Sequence, residues 1–174
     1  MKDKAIFPIE MIDFSVQDLH FCIIPACYIN LNQRLIQKFY ELCKDKEILH
    51  MIATENPSSR FTLKNAKKFL EDSINLYNKK NLSFFLMNQE IIGLFMVKDL
   101  SSIPEIGYFL KKTYRNKGIG KKFISLMVYL LSHYFKGFEA IVVENNLPSL
   151  KILRSLNFRI IESKEGKYKL KKLF

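Results

Sequence analysis

Apolar residues recur with two different periods along the chain, and the switches between them mark the elements. After a poorly patterned start, FCIIPACY (Phe21 to Tyr28) is a dense apolar run that reads as a strand ending near Pro25. From Leu31 to Ile52 the residues Leu35, Ile36, Phe39, Tyr40, Leu42, Cys43 and Leu49 return at helical spacing, which predicts one helix. Thr62 stands where an N-cap belongs before a second stripe, Ala66, Phe69, Leu70, Ile74 and Tyr77, with lysines opposite. LSFFLM and IIGLFMV, joined by the short NQE turn, give a hairpin, and EIGYFL (Glu105 to Leu110) adds a third strand.

Past the stretch YRNKGIGKK, the residues Ile119, Phe123, Leu126, Met127, Leu130, Leu131 and Tyr134 line a broad helical face. FEAIVV (Phe138 to Val143) then reads as a buried strand. NNLPSLKILRSLN places Leu147, Leu150 and Leu153 three residues apart, with Pro148 early, where a helix tolerates it. FRIIE and KYKLKKLF close the chain as two strands around SKEG. Strands mixed with crossover helices imply an α/β or α+β sheet covered by helices, with a parallel pair made through the helix after the glycines. No internal repeat or linker divides the 174 residues, so the expectation is one domain over 1–174.

Composition narrows the classes. With 48% hydrophobic and 26% charged residues the chain is globular in type. The formal charge of +11 suits an anionic partner, such as a phosphorylated cofactor, an acidic protein surface or nucleic acid, and equally suits lysines that merely solvate the surface. Cys22, Cys27 and Cys43 form no CxxC pair, and His20, His50 and His133 are scattered, so no metal site and no disulfide framework is expected. Glu10 and Asp13 interrupt the apolar residues at the amino terminus, which argues against a secretory leader. The uncharged run from Phe123 to Phe135 falls short of the ~20 residues of a spanning helix, and a cytoplasmic protein is expected.

The glycine stretch carries the chemistry. A turn with little side-chain bulk between a strand and a helix lets the first helix amides converge on an anion, helped by the helix dipole. Arg115, Lys117 and Lys121 add positive charge, although a loop needing glycine only for its backbone angles would read the same. Two familiar phosphate loops fail on spacing. A Walker A loop would need glycine at Arg115 and Ser or Thr at Lys122, and a dinucleotide fingerprint starting at Gly118 would need glycine at Phe123.

What fits is Arg/Gln-x-x-Gly-x-Gly/Ala, present as Arg115-Asn116-Lys117-Gly118-Ile119-Gly120 directly after a strand. This resembles the coenzyme A loop of the GNAT superfamily of N-acetyltransferases. A second stretch agrees: ENNLPSLKILRSLNF places Asn146 and Ser149 on the superfamily's Asn-x-x-Ser, and Leu156 and Phe158 on its terminal Leu-Gly-Phe. Asn157 replaces the glycine, a mild departure because Asn also tolerates a left-handed cap. The resemblance runs from about Phe21 to Phe174. It implies a GNAT-like α/β (α+β) fold: a mixed, mostly antiparallel, twisted sheet of about six to seven strands, about four helices, and an acyl-CoA site where two strands splay. Within the superfamily, EIGYFL and Asn-x-x-Ser look most like the branch of ribosomal-protein N-terminal acetyltransferases and their small-molecule relatives.

By that resemblance acetyl-CoA is the co-substrate. Amides from Asn116 through Lys117, Gly118, Ile119 and Gly120 to Lys121 would cradle the pyrophosphate, with Arg115 beside them, and the strand Tyr108, Phe109 and Leu110 would pair with the pantetheine arm. Asn146 would bind that arm, and Lys151 or Arg154 the 3′-phosphate, unless these are an ordinary solvated helix face. Acetyl transfer needs a neutral amine, a base, oxyanion donors and a proton for the thiolate. Glu105 is the first candidate base, or else a surface carboxylate at a strand end. The superfamily often uses a tyrosine on the late helix as acid, but Leu153 stands there, so Ser149 is the substitute, or else a local cap. Tyr108 and Tyr134 are reserves, and an amide of Tyr108 or Phe109 is the candidate oxyanion donor. The leading reading is an N-acetyltransferase acting on a primary amine of a protein, a ribosomal one included, or of a small molecule, as monomer or homodimer. Its rivals are an acyl-CoA-binding module without catalysis and, last, a basic nucleic-acid or ribosome-binding protein.

Overall fold

A computed structural model describes residues 10–52 and 61–174. Residues 1–9, where part of the argument against a leader rests, and 53–60, within the stretch preceding the Thr62 cap, lie outside the described residues. Among the described residues eight strands form one sheet: β1 (Ile12–Val16), β2 (Leu19–Pro25), β3 (Leu82–Asn88), β4 (Glu90–Val97), β5 (Glu105–Leu110), β6 (Gly137–Val143), β7 (Arg159–Lys164) and β8 (Lys167–Leu173). Their order is β1-β2-β3-β4-β5-β6-β8-β7, and every pairing is antiparallel except β5 with β6. The parallel pair is joined through the helix after the glycines, as the sequence pattern requires.

Strand β1 is an addition to the sequence reading. Ile12, Phe14 and Val16 alternate with polar residues, and Phe14 stacks on Phe21 of β2 at 5.4 Å between ring centroids. The helix foreseen over Leu31 to Ile52 is two, α1 (Gln33–Leu42) and α2 (Lys46–Ile52). Asp45 divides them, because its Oδ1 accepts the amide of Glu47 at 2.9 Å and starts a new helix while the apolar period runs on. Asn32 caps α1 by accepting from Leu35 N at 2.9 Å. Thr62 caps α3 (Leu63–Asn75) in a reciprocal box with Asn65. Helices α4 (Ile119–Leu131) and α5 (Leu147–Ser155) complete the set.

The helices divide between the faces of the sheet. On adjacent strands Phe85 pairs with Leu94 and Phe84 with Phe95, so each pair shares a face. Phe39 of α1 meets Phe85 edge-on at 6.4 Å, and Phe123 of α4 meets Phe95 at 6.4 Å, which sets α1 and α4 on opposite sides. Phe69 of α3 stacks on Phe39 at 5.4 Å, and Met51 of α2 reaches Gly107 on the α1 side. The core lies on both faces, with Phe39, Phe84, Phe85, Phe95, Phe123 and Phe138 fully buried.

Two ion-pair sets tie the strands at the edges of this core. Glu139 on β6 accepts Lys169 at 2.7 Å and Lys171 at 3.3 Å from β8, while Glu90 pairs with Lys111 and, at 3.6 Å, Lys38. These lysines hold both carboxyls below the ordinary glutamate value. A depressed folded-state pKa contributes stability above the unfolded value and loses it as pH falls through the folded one. Melting temperature is therefore expected to drop between about pH 5 and pH 3, and Glu139→Gln to flatten that drop. An unchanged acid limb in the variant would remove Glu139 from this account.

Candidate active site at the β5–β6 splay

The parallel pair β5–β6 is short. It is made at Glu105 with Glu139 and Ile106 with Ala140, after which β5 runs on to Leu110 and β6 to Val143 without pairing. Lys98 N donates to Glu105 O at 2.9 Å and Lys111 N to Ile92 O at 2.7 Å, at the two ends of the β4–β5 ladder. Antiparallel alternation then turns the peptide groups of Gly107 and Phe109 toward β4, and those of Tyr108 and Leu110 toward the gap. The amide of Tyr108 thus lies on the open side of β5, and that of Phe109 does not.

Side chains sort by the same alternation. Tyr108 shares the α4–α5 face with Phe95, and its hydroxyl donates to Ser149 O of α5 at 3.4 Å. Burial pushes the Tyr108 phenol up to about 12, with the Ser149 side chain opposing the shift, so it is a neutral donor at any working pH. Glu105 projects on the other face and forms an ion pair with Lys98. Its cross-strand neighbour is Glu139, whose charge the β8 lysines compensate. Lys98, Glu139, Lys169 and Lys171 are the charged groups at the splay that no motif in the sequence points to.

The glycine stretch closes the top of the gap. Asn116 and Gly118 take left-handed angles, φ 60° and 77°, and Gly118 is the N-cap of α4. The first bond of that helix runs from Lys122 N to Gly118 O at 3.1 Å, so the amides of Ile119, Gly120 and Lys121 have no intrahelical acceptor. Such a run of free amides in a left-handed turn, at a dipole's positive end, suits a phosphate. A Cβ on Gly120 would lie 3.6 Å from both Ile152 of α5 and Leu110 of β5, so helix, strand and loop converge here. Lys151, beside Ile152, is exposed, as is Arg154. Lys117 sits 5.9 Å over the Tyr114 ring.

Arg115 and Asn146 also have their side chains engaged within the chain. Arg115 Nε donates to Leu110 O at 2.8 Å while its guanidinium binds Glu47 and lies 3.9 Å from Asp45. It ties the glycine loop to the start of α2. Asn146 Oδ1 caps α5 by accepting from Ser149 N at 3.2 Å. Leu153 is fully buried, and Asn157 takes φ 65°, the left-handed cap that its place after α5 requires. Tyr134, the other reserve, lies three residues past the last residue of α4, at the helix end opposite the glycine loop.

The acetyltransferase (GNAT) domain model matches residues 30–159. The chain belongs to the GNAT acetyltransferase family. No curated protein sequence matches it. Solved GNAT structures share its fold at low identity. The microcin C7 self-immunity acetyltransferase MccE, in complex with acetyl-CoA and AMP, is 18% identical over 91% of this chain and 94% of its own, with a TM-score of 0.71. Ribosomal-protein-S5-alanine acetyltransferase from Vibrio fischeri is 17% identical over 93% and 96%, with a TM-score of 0.69. The Campylobacter jejuni N-acetyltransferase PseH in complex with acetyl coenzyme A is 17% identical over 88% and 98%, at 0.63. Among the described residues of this GNAT chain, no group of His, Cys, Asp and Glu could hold a metal ion, and no helix is long and apolar enough to cross a membrane.

Proposed function

We propose that this chain is an acetyl-CoA-dependent N-acetyltransferase that passes the acetyl group directly to a primary amine, with a protein N-terminus or a small-molecule amine as acceptor. The observation that carries this is the splay itself. It leaves the Tyr108 amide unpaired on one wall of a gap whose mouth holds a phosphate-ready loop and whose far face holds a carboxylate. The complexes of MccE and PseH with acetyl-CoA support the same choice of donor.

Free amides of Ile119, Gly120 and Lys121, with the Asn116 to Gly118 turn, would take the pyrophosphate, and Lys151 or Arg154 the 3′-phosphate. The strand from Tyr108 to Leu110 would guide the pantetheine arm into the gap, so that the Tyr108 amide meets the oxygen developing negative charge. Glu105 would take the proton released as the amine nitrogen bonds to the thioester carbon and the C–S bond breaks. Ser149 Oγ would donate to the departing thiolate, which is protonated to the free thiol, while the Tyr108 hydroxyl, donating to Ser149 O, holds α5 against β5. Arg115 would act through the loop it fixes, and Asn146 through the α5 turn that sets Ser149.

Direct attack fits the cysteines. Burial pushes the thiols of Cys22 and Cys43 up to about 11 and 12, and raises that of Cys27 as well, so none is a thiolate near neutrality. An α-amine, neutral in roughly one molecule in ten at pH 7, asks less of Glu105 than a lysine side chain does.

The test is thermal stability with excess acetyl-CoA against dephospho-coenzyme A, followed by thiol release over an amine panel. Acetyl-CoA at ~100 times its Kd should add ~2.7 kcal/mol, and less without the 3′-phosphate. The absence of any shift would overturn the donor site, and a shift without turnover on any amine would favour a binding module.

A further inference from the structure

Strand β8 reads KYKLKKL, and Lys167, Lys169 and Lys171 alternate onto one face of the sheet. Their partners on β6 are Val143, Ile141 and Glu139, and on β7 Lys164, Glu162 and Arg159, all on that same face. It is the face on which Glu105 projects, since Glu105 and Glu139 are neighbours across β5–β6. Helices α1 to α3 cover the β2–β5 part, and among the described residues no helix covers β6, β8 and β7 there. Ile141 and Val143 are accordingly 51% and 48% exposed, although both belong to a central strand.

The uncovered strip begins at Glu105 and has a definite chemistry. Its floor is apolar, Ile141 and Val143, and its side wall is cationic. Six cations, Lys98, Arg159, Lys164, Lys167, Lys169 and Lys171, stand against four carboxylates, Glu105, Glu139 and Glu162 on the strands and Glu165 of the β7–β8 turn, which pairs with Lys164 at 3.8 Å. Glu105 is matched by Lys98, and Glu139 by Lys169 and Lys171, while no ion pair engages Lys167 among the described residues. The excess positive charge therefore lies beside Val143 and Ile141, beyond the reacting end.

We infer that the acceptor is the N-terminus of an acidic polypeptide, bound extended along β6 with its amine at Glu105 and carboxylates among its second to fifth residues facing Lys169 and Lys167. The inference rests on the N-acetyltransferase reading above. Ile141 and Val143 lie two and four residues past Glu139, about 7 and 13 Å along an extended chain, which is the span of those early residues. Exposed apolar positions between lysines suit alternating apolar and acidic side chains.

The experiment compares peptides with a free N-terminal serine followed by Glu, Gln or Lys at positions two to five, reading kcat/KM by thiol release, with a set of small amines alongside. The Glu series should exceed the Gln series by about tenfold at low salt, and the gap should narrow as salt screens it. Lys167→Glu should remove most of that preference while leaving the Gln series within about twofold, and Lys169→Gln should weaken the preference as well. The acetyl-CoA thermal shift of each variant reports that it is folded, and Lys167→Gln replaces the reversal should that variant not fold. Equal rates, or a preference for the Lys series, would overturn the acidic acceptor and leave an N-acetyltransferase. A preference for small amines over every peptide would likewise overturn it. A donor shift with no acceptor turned over would overturn the catalytic reading and this inference with it.

Discussion

Glu105→Gln is expected to lower kcat/KM by about 10²–10⁴ while the Kd for acetyl-CoA stays within about twofold, the pattern of a lost proton acceptor. Donor binding is spared because Glu105 lies on the α2 side of the sheet, whereas the glycine loop and Tyr108 open to the α4–α5 side. Folding is spared because Lys98, the partner left behind, is half exposed and regains water. The loss should be larger with a lysine-type amine than with an α-amine, since the first arrives almost wholly protonated at neutral pH. Steady-state kinetics with both amine types, alongside calorimetry with acetyl-CoA, would check this. A variant that retains half of the wild-type rate would show that water alone accepts the proton.

Gly118→Val is expected to weaken acetyl-CoA binding by about a hundredfold or more, through the backbone. A valine Cβ would have room, since the nearest atom is Val16 Cγ1 at 3.9 Å. The angle φ 77° is what a β-branched residue cannot hold, and relaxing it swings the amides of α4 away from their common focus. Gly118→Asn, which tolerates that angle, should lose less than about tenfold. Gly120 is different in kind. It lies inside α4, and an alanine there meets Ile152 and Leu110 at ordinary contact distance, so Gly120→Ala should change affinity only a few-fold. The thermal shift with acetyl-CoA reads all three, and undiminished affinity in Gly118→Val would take the loop out of the donor site.

Much of the fold was legible because local preferences and tertiary needs coincide. Thr62 and Asn65 cap α3 whatever packs against it, and the apolar run from Ile91 to Val97 can only be a buried strand. Where a polar side chain redirected the backbone within a continuing apolar period, pattern failed. Asp45 splits α1 from α2 although Ile48 and Ile52 continue the buried stripe. Strand β1 escapes the pattern because an edge strand buries only one half of its alternation, and Ile12, Phe14 and Val16 stand in a stretch too short to outweigh its charges.

The sequence by itself determined the family, through two glycines and an Asn-x-x-Ser whose backbone demands are local: a left-handed turn, a helix mouth and a cap. Only the tertiary structure decided what the remaining residues do. It engaged Arg115 with Leu110 O and α2, and set Tyr108 against Ser149 although 41 residues separate them. It also brought Glu105 beside Glu139 and the β8 lysines. Those juxtapositions depend on the order of strands in the sheet and on where β5 and β6 part. Neither is encoded in a period or a spacing, because both arise from packing between segments far apart in the chain.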